Sequence, residues 1–166
     1  MRYLIYFFLF LLPVTSTWSQ PVNVGDTAPD WSLPDKEGGI VDYYQDSDNQ
    51  VSVILFWATW CPYCATLMPH LEVVYRKYRS KGLKFYAIDI LEDGKIDPVT
   101  YFADKEYSYT LLLDGDAVAE NYGVRGTPGL YVIDKNKKVV YKKPAGVSDV
   151  LVIQNMDLKI KQSIAK

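Results

Sequence analysis

Sulfur and imidazole side chains are scarce in this chain, which has two cysteines, one histidine and three methionines among 166 residues. A structural zinc site usually needs four nitrogen or sulfur ligands, and Cys61, Cys64 and His70 fall short of that set, so no metal site is expected. A c-type haem attachment needs histidine directly after the second cysteine, where this chain has Ala65. The peroxide-reducing pattern Pro-x-x-x-Thr-x-x-Cys is missing too, because its first two positions relative to Cys61 hold Ile54 and Ala58. An excess of positive charge is also lacking. The formal net charge is −2 with a pI near 5.4, which gives no electrostatic footprint for nucleic acid. The longest uninterrupted apolar run, Tyr3 to Leu12, is shorter than the roughly 20 residues of a membrane-spanning helix. Repeats and low-complexity tracts are absent, and the length suits one domain with its own core.

The N-terminus nevertheless has a pattern of its own. Arg2 supplies a positive start, the apolar run follows, and Pro13 with the small residues Thr17 and Ser19 leads to Gln20. Residues 1–19 therefore predict a secretory signal peptide, and residues 20–166 the mature domain. Cleavage would remove Arg2, the only charged residue of the segment, and move the net charge from −2 to −3. The compartment expected is periplasmic or otherwise extracytoplasmic, where disulfides persist. Retention of the segment as an anchor is the other reading.

Residues 20–30 carry two prolines and no helical period, so they predict an extended lead-in. Trp31 to Pro34 and Ile40 to Tyr44 predict a hairpin around the turn Asp35 to Gly39, followed by a polar loop over Asp46 to Gln50. Val51 to Trp57 is almost continuously apolar, the signature of a strand buried on both faces. From Cys64, apolar residues recur at Leu67, Met68, Leu71, Val74, Tyr75 and Tyr78, which predicts one face of a helix. Pro69 interrupts that helix, and Gly82 signals its end. Further on, a strand is expected over Leu83 to Leu91, a helix from Asp97-Pro98 to Lys105 and a strand over Tyr109 to Leu113. A short helix over Asp116 to Tyr122 and a hairpin of Gly129–Asp134 with Lys138–Lys142 follow. A last helix over Ser148 to about Ser163 has Val150, Ile153, Met156/Asp157 and Ile160 at the spacing of one helix face. The order implies an α/β domain with one sheet and helices on both faces.

The densest signal is Trp57-Ala-Thr-Trp60-Cys61-Pro62-Tyr63-Cys64, which holds both cysteines where the buried strand gives way to the helix. Cys-x-x-Cys at a strand-to-helix junction reads as a redox-active dithiol. At a helix N-terminus, unpaired N–H groups and the helix dipole favour a thiolate at the first sulfur, and the thiolate is the nucleophile of disulfide exchange. Cys64, one turn further in, is expected to be buried and to act second. A merely structural bridge closes so short a loop that it stabilises little. Asp89, Glu92 and Asp93 read as a solvated turn, His70 as a helix surface residue, and Arg125 as bonded within its own loop.

These residues resemble the thioredoxin superfamily, and within it the extracytoplasmic TlpA/ResA-like branch. Gly25-Asp-Thr-Ala-Pro-Asp-Trp-Ser-Leu33 is similar to the opening segment of that branch, Phe56 to Cys64 to its active-site strand and helix start, and Pro69 to its kinking proline. Tyr122-Gly-Val-Arg-Gly-Thr-Pro128 resembles the family's cis-proline loop, and Val132-Ile-Asp-Lys-Asn136 the hairpin after it. The resemblance implies a thioredoxin fold, a central mixed β-sheet flanked by helices, with an N-terminal β-hairpin extension. It implies a protein thiol–disulfide oxidoreductase with Cys61 and Cys64 catalytic, a cis bond at Thr127-Pro128, and Trp60, Pro62, Tyr63, Thr127 and Pro128 at the substrate face. No cofactor beyond the Cys61–Cys64 couple is implied. The expected partners are protein disulfides or dithiols, together with a membrane electron donor.

Two departures stand out. The buried aspartate of thioredoxins, two residues before the first active-site Trp, is Leu55 here, and the glutamate common in the branch three residues after the second Cys is Leu67. Gly129 stands where threonine is common. Without a carboxylate opposing it, the Cys61 thiolate should be more stable and the couple more oxidising than in close relatives. The direction expected is reduction, in cytochrome c maturation or general disulfide reduction. A DsbA-like oxidant and a non-catalytic peptide-binding module are the alternatives. The Pro-Tyr pair between the cysteines is the glutaredoxin dipeptide, but the expected compartment argues against that function.

Overall fold

The computed structural model describes residues 20–165, so the signal peptide expected over residues 1–19 lies outside the described residues. Two short antiparallel strands open the domain, β1 (Ser32–Pro34) and β2 (Ile40–Asp42). The second is shorter than expected, because the chain turns at Tyr43 into a one-turn helix, α1 (Tyr43–Asp46). Tyr43 is fully buried there and stacks on Trp31 with ring centroids 4.8 Å apart, a packing gain that an extended strand would forgo.

The main sheet has five strands: β3 (Ser52–Trp57), β4 (Lys84–Asp89), β5 (Thr110–Leu112), β6 (Gly129–Ile133) and β7 (Val139–Lys142). Their order is β5-β4-β3-β6-β7. Strands β3, β4 and β5 run parallel, while β6 is antiparallel to β3 and β7 to β6. Every residue of β3 is buried, as its continuous apolar run predicts. Alternation along the strands sorts the core into two layers. Val53, Leu55 and Trp57 face α2 (Pro62–Tyr78), α3 (Pro98–Asp104) and α5 (Asp149–Ile164). Ile54 and Phe56 face the opposite layer, with α1, the lead-in and α4 (Asp116–Asn121). The mixed sheet with helices on both faces is the thioredoxin fold.

Helix α2 runs through Pro69 without ending and closes on a single 3₁₀ turn (Arg79–Lys81), after which Gly82 takes the left-handed conformation at φ 83°. That conformation is open to glycine at little steric cost. In α5 the buried stripe is Val152, Met156, Ile160 and Ser163, with Val150 exposed, so the face is rotated from the one expected. The second layer absorbs several of the tyrosines. Tyr43, Tyr86, Tyr122 and Tyr131 are fully buried, and each hydroxyl has a partner, namely Ser52 Oγ, Asp46 Oδ2, the Pro29 carbonyl and the Tyr122 carbonyl.

Candidate active site

The end of β3 and the start of α2 place the dithiol. Cys61 occupies the N-cap of α2, in extended conformation, and Pro62 takes the first helical turn, where its missing N–H goes unneeded. The Cys64 N–H donates to Cys61 Sγ at 3.2 Å, so the sulfur does the work that a serine or aspartate oxygen does at other helix starts. Both cysteines are unbridged and buried. Burial pushes the Cys64 thiol far above the ordinary range, and its contact with Cys61 adds to the rise. Hydrogen bonding from the Ala58 backbone and the Thr127 side chain works the other way. Leu55 and Leu67 are both fully buried in the same layer, so neither position supplies a proton acceptor.

Thr127-Pro128 is a cis peptide bond and leads into β6. Among the sequence-predicted substrate-face residues, Trp60 is 47% and Tyr63 73% exposed, which leaves both rings open to a partner, and Pro62 is exposed as well. Tyr63 and the 123–131 segment line one groove with the 142–149 loop, which brings Tyr63, Thr127 and Pro128 together beside the dithiol. Trp60 lies outside that lining. Its indole N–H donates to the Leu91 carbonyl at 2.7 Å on the loop after β4. A β-carbon at Gly129 would sit 3.1 Å from Val124 Cγ1, so tight packing accompanies the glycine at this position.

Of the acidic segment after β4 only Asp93 is solvated as expected, exposed and paired with Lys95 at 2.7 Å. The Glu92 carboxylate accepts the Thr59 N–H at 2.7 Å and the Thr59 hydroxyl, two residues before Cys61. Leu91, at φ 56°, donates its N–H to Asp116 Oδ1 at 2.9 Å. Asp89 pairs in register with Trp57 and is buried. Its carboxyl is pushed up to about 7, by burial first and then by the charge of Glu92, and Oδ1 has no hydrogen-bond partner among the described residues. Residue spacing hides these roles, since Thr59 and Glu92 are 33 positions apart. Tyr101 was not legible either. Its ring lies 5.4 Å from that of Trp57, and its phenol is raised by burial and then by the charges of Cys64 and Cys61. His70 is exposed, as expected. Arg125 departs from expectation. It is exposed, and its side chain makes no hydrogen bond or ion pair among the described residues.

A dithiol of this kind on this sheet defines the class: a thiol–disulfide oxidoreductase with the thioredoxin fold. Sequence comparison gives the family. The profile of the AhpC/TSA family matches residues 24–142, and the chain belongs to that family. A Geobacillus thermodenitrificans protein named thiol-disulfide oxidoreductase ResA is 35% identical over 123 residues, spanning 71% of this chain and 67% of its own. The Bacillus thuringiensis protein of the same name is 28% identical over 125 residues, 75% of this chain and 71% of its own. Among solved structures, a Chlorobium tepidum protein assigned as thiol:disulfide interchange protein DsbE superposes with a TM-score of 0.72 at 28% identity. The superposition covers 86% of this chain and 99% of that one.

Proposed function

We propose that the protein reduces disulfides of other proteins outside the cytoplasm, after removal of residues 1–19, with Cys61 as nucleophile and Cys64 as resolving thiol. The observation that carries this assignment is the asymmetry of the pair. Cys61 Sγ sits at the α2 N-cap and accepts the Cys64 N–H, whereas burial holds the Cys64 proton on its sulfur. The Cys61 thiolate attacks one sulfur of the substrate disulfide, forms the mixed disulfide and releases the other substrate sulfur as a thiolate. Cys64 then attacks Cys61 Sγ and expels the second substrate sulfur. Its proton passes to a departing sulfur or to solvent, since leucine occupies positions 55 and 67. Two electrons reach the substrate, and the protein is left with a Cys61–Cys64 disulfide that an outside electron donor, at the membrane, must reduce. Cytochrome c maturation or general disulfide reduction is the process this chemistry suits.

Cys64→Ser should accumulate Cys61-linked mixed disulfides with substrate proteins, resolved as thiol-sensitive bands by nonreducing electrophoresis. Accumulation in Cys61→Ser instead would reverse the two roles. The equilibrium potential of the couple against glutathione tests the direction, within the span of roughly −270 to −120 mV of related dithiols. A value at the oxidising end would contradict a reductant.

A further inference from the structure

Beside the dithiol runs a groove of about 780 Å³, lined by Tyr63 and by the 123–131 and 142–149 segments. Its charged lining residues are Arg125, Lys142, Lys143 and Asp149, three cations against one carboxylate, in a chain whose net charge is −2. Two of the four are already engaged. Lys142 Nζ donates to the Val22 carbonyl at 2.8 Å, and Asp149 Oδ2 accepts the Thr66 hydroxyl at 3.2 Å. Arg125 and Lys143 are not, since neither side chain has a hydrogen bond or ion pair among the described residues. Along the same wall the backbone N–H groups of Arg125, Gly126 and Thr127 also donate to nothing among the described residues. Three free backbone donors and two free cations lining one groove are complementary to an extended backbone carrying carboxylates.

We infer that the groove selects an extended protein segment with acidic side chains next to its reactive cysteine, held by Arg125 and Lys143. This rests on the exchange reading above and adds the class of substrate to it. The sign of the selection is local. The net charge of the whole chain would slow an acidic partner and favour a basic one, so a preference for acid has to originate in the groove.

The test uses the reduced protein and three heptapeptides, each with one cysteine in a mixed disulfide with 2-mercaptoethanol and flanked by Glu, Gln or Lys. The second-order rate of peptide thiol release is divided, for each protein, by its rate on the uncharged bis(2-hydroxyethyl) disulfide. The Glu peptide should exceed the Gln peptide by about tenfold and the Lys peptide by more, and the spread should shrink in about 0.5 M salt. R125Q/K143Q should level the three rates, and R125E/K143E should reverse their order. Both positions are solvent-accessible, and an unchanged far-UV spectrum and melting temperature confirm that the variants fold. Equal rates for the three peptides on the unsubstituted protein, or a Glu preference that survives both variants, overturn the inference. Failure of the exchange reading looks different, because bis(2-hydroxyethyl) disulfide itself would then go unreduced.

Discussion

Asp89 is a carboxyl in a place that suits a neutral group. Burial and the neighbouring Glu92 charge lift it from 3.8 to about 7, so between those values the folded chain holds a proton that the unfolded chain has released. The contribution of Asp89 to stability therefore falls as pH rises through that window and is lowest above it. Asp89→Asn keeps the shape without the charge. The variant should be more stable than the parent at pH 8, by on the order of 2 kcal/mol, and the two should converge near pH 4. Urea titrations at the two pH values check this, and a variant less stable at pH 8 would show that the ionised carboxyl is supported rather than opposed. Glu72 is the contrasting case. Burial raises it, but hydrogen bonds from the Ser108 hydroxyl and N–H and from Arg76 outweigh that and hold it below its usual value. Two buried acids thus end on opposite sides of the ordinary range, according to the donors each one meets.

At the scale of elements, the loop after β4 works as a bracket on the start of α2. Glu92 takes both donors of Thr59, and the Leu91 carbonyl takes the Trp60 indole N–H, so the residues just before Cys61 are fixed from a neighbouring strand. Glu92→Ala strands the buried Thr59 donors and should cost about 1–3 kcal/mol, whereas Glu92→Gln keeps one acceptor and should lose less. Denaturant midpoints rank the three proteins, and an alanine variant as stable as the parent would mean that solvent replaces the bracket. None of this is visible in the local sequence, because a short acidic stretch after a strand has the composition of a solvated turn, and its partner lies on another element. The same reason explains α5. Met156 and Ile160 fit two adjoining stripes, and only docking on α2 and β7 decides that Val152 and Ser163 go inward while Val150 stays out. What was legible is what the chain encodes locally. The buried run of β3, the 3–4 spacing of α2, the Gly82 stop and the Cys-x-x-Cys junction all needed no distant partner.

At the scale of the whole molecule, the lead-in and the small hairpin reach both edges of the main sheet. On one side Gly25 N–H donates to the Val139 carbonyl at 2.8 Å, Val139 N–H returns the bond to Asp26 at 3.0 Å, and Thr27 bridges to Lys138. On the other, Asp35 bridges to Leu112, and Leu113 N–H donates to the Pro34 carbonyl at 2.9 Å. Unpaired sheet edges invite pairing with other chains. Removing residues 20–42 should therefore leave a protein that self-associates, seen as concentration-dependent growth in light scattering, while the parent scatters independently of concentration. A truncated protein that stays dispersed would show that the edges protect themselves by length and charge alone.

That belt also fixes an order in time. Its residues are made before the rest of the domain, but their partners at Tyr122, Lys138, Val139 and Lys142 come about a hundred positions later. Contacts of such separation form only after the intervening chain has been brought together. The earliest part of the domain to be synthesised thus docks only after Lys142 has been made, shortly before α5 completes the chain, and until it does the nascent sheet is open on both sides. An extended, proline-containing segment such as 20–30 suits that wait, because it has no helix to lose and little tendency to pair prematurely.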